Sequence, residues 1–260
     1  MIDVSELWRP LSIVAICLAR PLTCFSILPF AGGNLLPGYI RSTIMLTLVF
    51  IIYPMVAPCA PDRLETLATV LVLLKEVFVG LLIGFVAATV FWTMEIVGIL
   101  IDNQRGATMA SVMDPLYGHS SSPLGTLLLQ FTTVVFFSIG GFLIFLDGIF
   151  KSYEFWPVFQ FYPKLEGDLA VFFLKKLDTL IRSALLLAAP FLIAAFLSDL
   201  CLGLISRFVP QLNVFFLSMP VKSGIASFIL VVYLVVILYF AREGAEFIGS
   251  IMESLRAVIR

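Results

Sequence analysis

His119, Ser120, Ser121, Ser122 and Asp114 bring the residue types of a nucleophilic triad into one short stretch of this chain. Proximity in sequence is not triad geometry, because a working serine needs a rigid scaffold that aims it at a base and an oxyanion hole. No G-x-S-x-G or related nucleophile elbow is present to supply one, so the stretch reads as a Ser/Pro turn with an exposed histidine. His119 is the only histidine, which rules out the paired histidines of an H-E-x-x-H zinc site. No G-x-x-x-x-G-K-[ST] occurs either, so ATP cannot be hydrolysed through a P-loop. Cys17, Cys24, Cys59 and Cys201 lie in apolar segments without C-x-x-C spacing and read as small buried hydrophobes. The sequence predicts no catalytic residue, no metal and no cofactor.

What chemistry remains is charge in unusual surroundings. Arg20, Lys75, Glu76, Glu95, Arg182, Asp199, Arg207 and Lys222 are embedded in apolar runs, where each would be costly against lipid and should face water, protein or one another. Lys75, Glu76, Glu95, Asp199, Arg207, Gln211, Asn213 and Lys222 are therefore expected in a polar network or at subunit contacts. Glu76, Glu95 and Asp199 are also candidates for carrying protons; the competing reading makes them salt-bridge or hydrogen-bond partners.

The elements that hold these groups follow from composition. Hydrophobic residues make up 61% of the 260 and charged residues 13%, whereas soluble domains sit near 45–50% and about 25%. Such a chain is an integral membrane protein. A formal net charge of −1 excludes the basic surface that a nucleic-acid partner would demand. Apolar runs fall at roughly 10–31, 43–60, 67–101, 124–150, 180–206 and 214–241, each near or above the roughly 20 residues that span a bilayer. They are continuous rather than alternating, which favours helices over a barrel. The expected fold is all-α: a polytopic membrane protein of about six hydrophobic helices or helical hairpins. The acids Asp3 and Glu6 stand where a secretory leader would carry basic residues, so the N-terminus reads as retained. If each run crosses once, Arg9, Arg63, Lys151, Lys164, Lys175, Lys176, Arg182, Arg242, Arg256 and Arg260 share one side against Arg41, Arg105 and Arg207 on the other, which puts both termini in the cytoplasm.

The third run, at about 1.5 Å per residue, is far longer than the roughly 30 Å hydrocarbon core. It must break or pack largely against protein. Within it, Gly80 and Gly84 form a G-x-x-x-G extended in register by Ala88, which admits a close neighbouring helix from the same chain or from another subunit. Gly140 and Gly141 admit the same two readings. Pro21, Pro29, Pro54, Pro58, Pro190 and Pro220 interrupt helical hydrogen bonding and call for neighbours that satisfy the freed carbonyls.

Between the third and fourth runs lies a polar insert from about 105 to 123. Gly106, Pro115, Gly118 and Pro123 punctuate it, and Met109, Val112, Met113, Leu116 and Tyr117 give it apolar content. It reads either as a plug or gate, built on Arg105, Gly106, Met109, Val112, Met113, Asp114, Pro115 and Leu116, or as a structured connection. Asp102 and Arg105, at i and i+3, would pair and set the angle at which the loop leaves the helix. After Arg242, residues Phe247, Ile248, Ile251, Met252, Leu255 and Ile259 recur at helical spacing, predicting an amphipathic helix over about 242–260 that lies on the membrane or docks on a subunit.

Two blocks carry a resemblance. Lys75–Phe85, Ile101–Ala107 with Asp114-Pro115, and Ser121–Gly125 resemble the central signature of the type III secretion export-apparatus family SpaR/YscT/HrcT, whose flagellar relative is FliR. Asp199-Leu200, Leu202-Gly203-Leu204, Arg207-Phe208, Pro210–Phe216 and Pro220-Val221-Lys222 resemble its C-terminal signature. The resemblance implies one domain over 1–260 that is not an enzyme. It implies a subunit of a helical export-gate complex in the bacterial inner membrane, part pore wall and part plug, for translocating unfolded proteins in a virulence-type system. It further implies SpaP/YscR-like, SpaQ/YscS-like and YscU-like subunits as partners, besides secreted polypeptides and lipid, with energy drawn from the proton motive force and a cytoplasmic ATPase. The alternative from residues alone is a secondary transporter of a small molecule, weakened because the two halves show no inverted-repeat correspondence.

Overall fold

The computed structural model describes residues 4–32, 37–61, 66–107, 122–160, 169–209, 211 and 213–249. All its regular elements in that range are helical: α1 (Val4–Ile27), α2 (Gly38–Val56), α3 (Thr66–Gln104), α4 (Pro123–Ser138), α5 (Gly141–Phe155), α6 (Leu169–Phe208) and α7 (Val214–Gly249), with single 3-10 turns at Pro29–Ala31 and Ala57–Cys59. Five stretches are long and apolar enough to cross a membrane, and α4 with α5 would make a sixth as a broken span. The chain is a multi-pass membrane protein.

Three expectations meet a definite outcome. The third run does not break: α3 is one helix of 39 residues, and its middle, from Leu82 to Phe91, is almost entirely buried. The fourth run does break, at Gly140, whose φ of +76° is left-handed and whose added Cβ would meet nothing within 4 Å. Gly140 is thus there for backbone freedom, which a Cβ would oppose, rather than for close helix packing. At the C-terminus, α7 runs through Arg242 to Gly249 without interruption, so the tail begins as a continuation of the last span; residues 250–260 lie outside the described residues.

The chain divides into two compact units, residues 1–89, 140–175 and 246–260 in one and 90–139 and 176–245 in the other. In the first, α1 presents Ile13, Ile16, Cys17, Arg20 and Cys24 as one buried stripe at helical spacing. Against it lies the G-x-x-x-G of α3. A Cβ at Gly80 would stand 2.5 Å from the Arg20 carbonyl oxygen, and one at Gly84 would stand 3.0 Å from Cys24 Cα. The small-residue motif therefore serves contact within the chain, and Ala88 beyond it is fully buried. Phe25 of α1 meets Phe142 and Phe145 of α5 edge to face. Replacing Gly80 with valine forces α1 off α3 by more than a rotamer change can relieve. We expect the purified protein to lose about 1–3 kcal/mol in a thermal melt, the usual cost of overpacking, and an unchanged melting temperature would contradict this packing.

In the second unit, Met94, Val97 and Ile101 of α3, Leu124 and Leu128 of α4, Ala184, Leu187, Ala188 and Phe191 of α6, and Ala226, Ile237 and Ala241 of α7 form one buried cluster. Phe91 stacks edge to face on Phe136, and Phe191 on Tyr233. Alanines alternate with large side chains, letting the long helices approach closely.

Candidate functional site

The polar insert leaves α3 through a defined stop. Gly106 takes a left-handed φ of +77°, the Ala107 N–H donates to the Asp102 carbonyl at 3.0 Å, and the Gly106 N–H donates to that of Asn103 at 3.2 Å. This pairing satisfies two carbonyls of the last helical turn. The insert returns through an equally defined start. Ser122 caps α4, its Oγ accepting the Gly125 N–H at 2.9 Å, and Pro123 occupies the first helical position.

One side chain joins the two. The Asp102 carboxylate is fully buried; its Oδ2 accepts the Leu124 N–H at 2.9 Å and the Ser122 hydroxyl. Its Oδ1 pairs with the Arg105 guanidinium, at an approach too oblique to count as a hydrogen bond, and Arg105 Nε is left buried without a partner. A carboxylate at the first turn of α4 also meets the positive end of that helix. Below this clamp α3 and α4 touch backbone to backbone, because a Cβ on Gly98 would overlap Gly125. The chain therefore leaves and re-enters at one point. Met109, Val112, Met113, Asp114, Pro115 and Leu116 lie outside the described residues.

Beside the clamp is a cavity of about 400 Å³ whose walls include Asn103, Gln104, Arg105, Asp199, Ser218 and Lys222. Lys222 Nζ lies 2.6 Å from Asp199 Oδ1 and ties α7 to α6.

The first unit holds a separate charge cluster. Arg20 grips Glu76 with a two-pronged fork, Nε to Oε2 at 2.7 Å and Nη2 to Oε1 at 3.0 Å. Nη1 donates to Ser152 Oγ at 2.8 Å and Nη2 to the Trp156 carbonyl at 3.0 Å. The guanidinium also lies 4.0 Å from the Tyr153 ring centre. Both ionised side chains are inaccessible to solvent. Lys75 Nζ sits 3.1 Å from Glu76 Oε1 and donates to the carbonyls of Pro157, Val158 and Gln160. Adjacent residues of α3 thus bind α1 and the turn after α5, and Arg20 of α1 joins α5 to them through Ser152.

Of the expected polar network, Lys75 and Glu76 fall in this cluster, and Asp199 and Lys222 pair at the cavity. Glu95 is half-buried on α3 and makes none of these contacts; Arg207, in the last turn of α6, and Gln211 and Asn213, between α6 and α7, are exposed. Arg20, noted in the sequence only as an embedded charge, is the centre of the first cluster. Ser152, Tyr153 and Trp156 carried no local signal at all. The Asp102–Arg105 pair was legible from spacing, but the link from Asp102 to Ser122 and Leu124 was not.

The family profile described as bacterial export proteins, family 1, matches residues 11–247. The chain is 44% identical to the Yop proteins translocation protein T of Yersinia pestis over 226 residues, 86% of this chain and 87% of the relative. It is 34% identical to the surface presentation of antigens protein SpaR of Salmonella typhimurium, over 88% and 85% of the two chains. With the flagellar biosynthetic protein FliR of Bacillus subtilis it shares 32% identity over 71% and 72%. These relatives support the export reading and give none to a small-molecule transporter.

Proposed function

Because this chain belongs to the bacterial export proteins, family 1, and its relatives are type III secretion and flagellar export proteins, we propose that it is the export-gate subunit whose loop, about 105–123, seals the pore. The observation that carries the loop assignment is the Asp102 clamp. A segment whose two ends are tied to one buried carboxylate has its base held firmly. That is what a seal requires if it is to yield without unravelling the helices beside it. Apolar residues such as Met109, Val112, Met113 and Leu116 suit a deformable constriction, because polypeptides of varied sequence offer no single charge to select.

Helix length supports partners around the gate. The apolar stretches Leu67–Gln104, Ala170–Phe208 and Val214–Gly244 would measure about 57, 58 and 46 Å at 1.5 Å per residue. A hydrocarbon core of about 30 Å cannot cover them all. Leu174, Ile181, Leu186, Ile193, Phe196 and Leu204 nevertheless form an exposed apolar face along α6. Other small membrane subunits, of the SpaP/YscR-like and SpaQ/YscS-like kinds, with a YscU-like switch subunit, would cover what lipid does not, in the bacterial inner membrane. The role asked of the chain is that of a wall and a seal rather than an enzyme.

Deleting residues 107–118 tests the seal while leaving Asp102, Arg105 and Ser122 in place. The expected result is an assembled complex that leaks ions. A tight membrane with normal secretion would return the loop to the status of a connector.

A further inference from the structure

Between Arg182 and Arg207 the outer face of α6 follows a strict heptad. Arg182, Leu186, Ile193, Phe196, Leu200 and Arg207, with positions 189 and 203 among them, succeed one another in alternating steps of four and three. That spacing keeps one stripe of a helix against a neighbouring helix, yet here the stripe is bare. Leu186, Ile193, Phe196 and Leu200 are exposed, and so are both arginines. Neither arginine makes a hydrogen bond or ion pair with the described residues, and Asp178, exposed one turn before Arg182, is not paired with it. Position 203 is glycine, and an added Cβ there would meet nothing within 4 Å; its φ is not left-handed. Glycine weakens a helix interior, and nothing in the described part of the chain calls for it at this place. None of these side chains belongs to the clamp or lines the cavity beside it.

We propose that this seam docks one helix of a different membrane subunit, a helix apolar through its middle that comes closest to α6 at Gly203 and brings a carboxylate to Arg207. The inference rests on the reading of the chain as an export-gate subunit. A heptad seam packs its neighbour at a crossing angle of about +20°, and the bare backbone at Gly203 lets the two helices touch one turn from Arg207. An ion pair formed there is shielded from water and is stronger than one at an open surface. Lipid is the poorer occupant, because acyl chains shape themselves to any side chain and give no reason for a glycine at 203. A second copy of this chain is also the poorer match. Copies inserted in one membrane share an orientation, so their seams would run parallel and set Arg207 on Arg207, a like-charge contact that opposes association.

The test is co-purification of the full-length chain with the other small membrane subunits of the export apparatus, expressed together, with the yield of assembled complex read on native gels. Gly203→Leu and Arg207→Glu should each lower that yield at least about tenfold. Neither should shift the melting temperature of the chain purified alone, since a side chain at 203 enters open space and Arg207 is exposed. Among acid-to-lysine changes in the co-expressed subunits, one should recover the assembly of Arg207→Glu. Full assembly of either variant would overturn the proposal and leave the seam to lipid, and recovery by none of the lysine changes would overturn the ion pair. A drop in melting temperature of the lone chain alongside the lost assembly would also overturn it, because α6 would then need these positions for its own fold. So would a dimer of the lone chain that Gly203→Leu dissociates, since the occupant would be a second copy. Failure of the unaltered chain to assemble with any of these subunits would instead overturn the gate reading, and this inference with it.

Discussion

Asp102→Ala is expected to make the assembled gate leak ions while the rest of the chain stays folded. The substitution strands three groups at once: the Leu124 N–H and the Ser122 hydroxyl lose their acceptor, and the Arg105 guanidinium loses its counter-ion. Removing one partner of a buried pair costs about 3–5 kcal/mol, chiefly because the remaining polar groups have no water to turn to. Here that cost falls on the loop base, since the core cluster beneath it is apolar and makes no use of the carboxylate. Asp102→Asn should be milder, because an amide oxygen can still accept the Leu124 N–H although the pairing with Arg105 is lost. The check is membrane conductance of cells carrying each variant, alongside recovery of the intact complex. A tight membrane with Asp102→Ala in an intact complex would mean that the clamp does not hold the seal.

Glu76→Ala is expected to act on folding instead of gating. It leaves Arg20 buried beside Lys75 with no anion between them, two like charges in a site where Arg20 has no access to water. The expected loss is again about 3–5 kcal/mol, read as a large drop in the melting temperature of the purified protein and in its level in the membrane. The double replacement Arg20→Met with Glu76→Leu should recover most of this. It removes the charges together and leaves Lys75 its three carbonyl acceptors, and apolar replacements of buried ion pairs are often neutral or stabilising. If the double variant is no better than Glu76→Ala, the cluster does more than satisfy its own charges, and a role for Glu76 in carrying protons regains force.

The two clusters differ in how far residue order discloses them. Asp102 and Arg105 sit one helical turn apart, so their pairing can be read directly from spacing. Arg20 and Glu76 are 56 residues apart, and Ser152 and Trp156 lie on and just after a third helix; an apolar stripe on α1 says that one face is buried but not which helix buries it. Gly140 illustrates the same limit. Among glycines in apolar runs, close packing and a left-handed break leave identical traces in a sequence, and only φ tells them apart.

Composition, run length and the two signature blocks by themselves determined that this is an all-helical, multi-pass membrane protein of the export family, because hydrophobicity summed over some 20 residues reports on solvent without reference to fold. The tertiary structure alone decided which charges meet. Ion pairs and caps depend on distances of about 3 Å between atoms brought together by helix packing, and apolar side chains that are interchangeable in a hydropathy sum are not interchangeable in setting those distances. The union of both ends of the loop at Asp102, and of three helices at Arg20, belongs to that second kind of information.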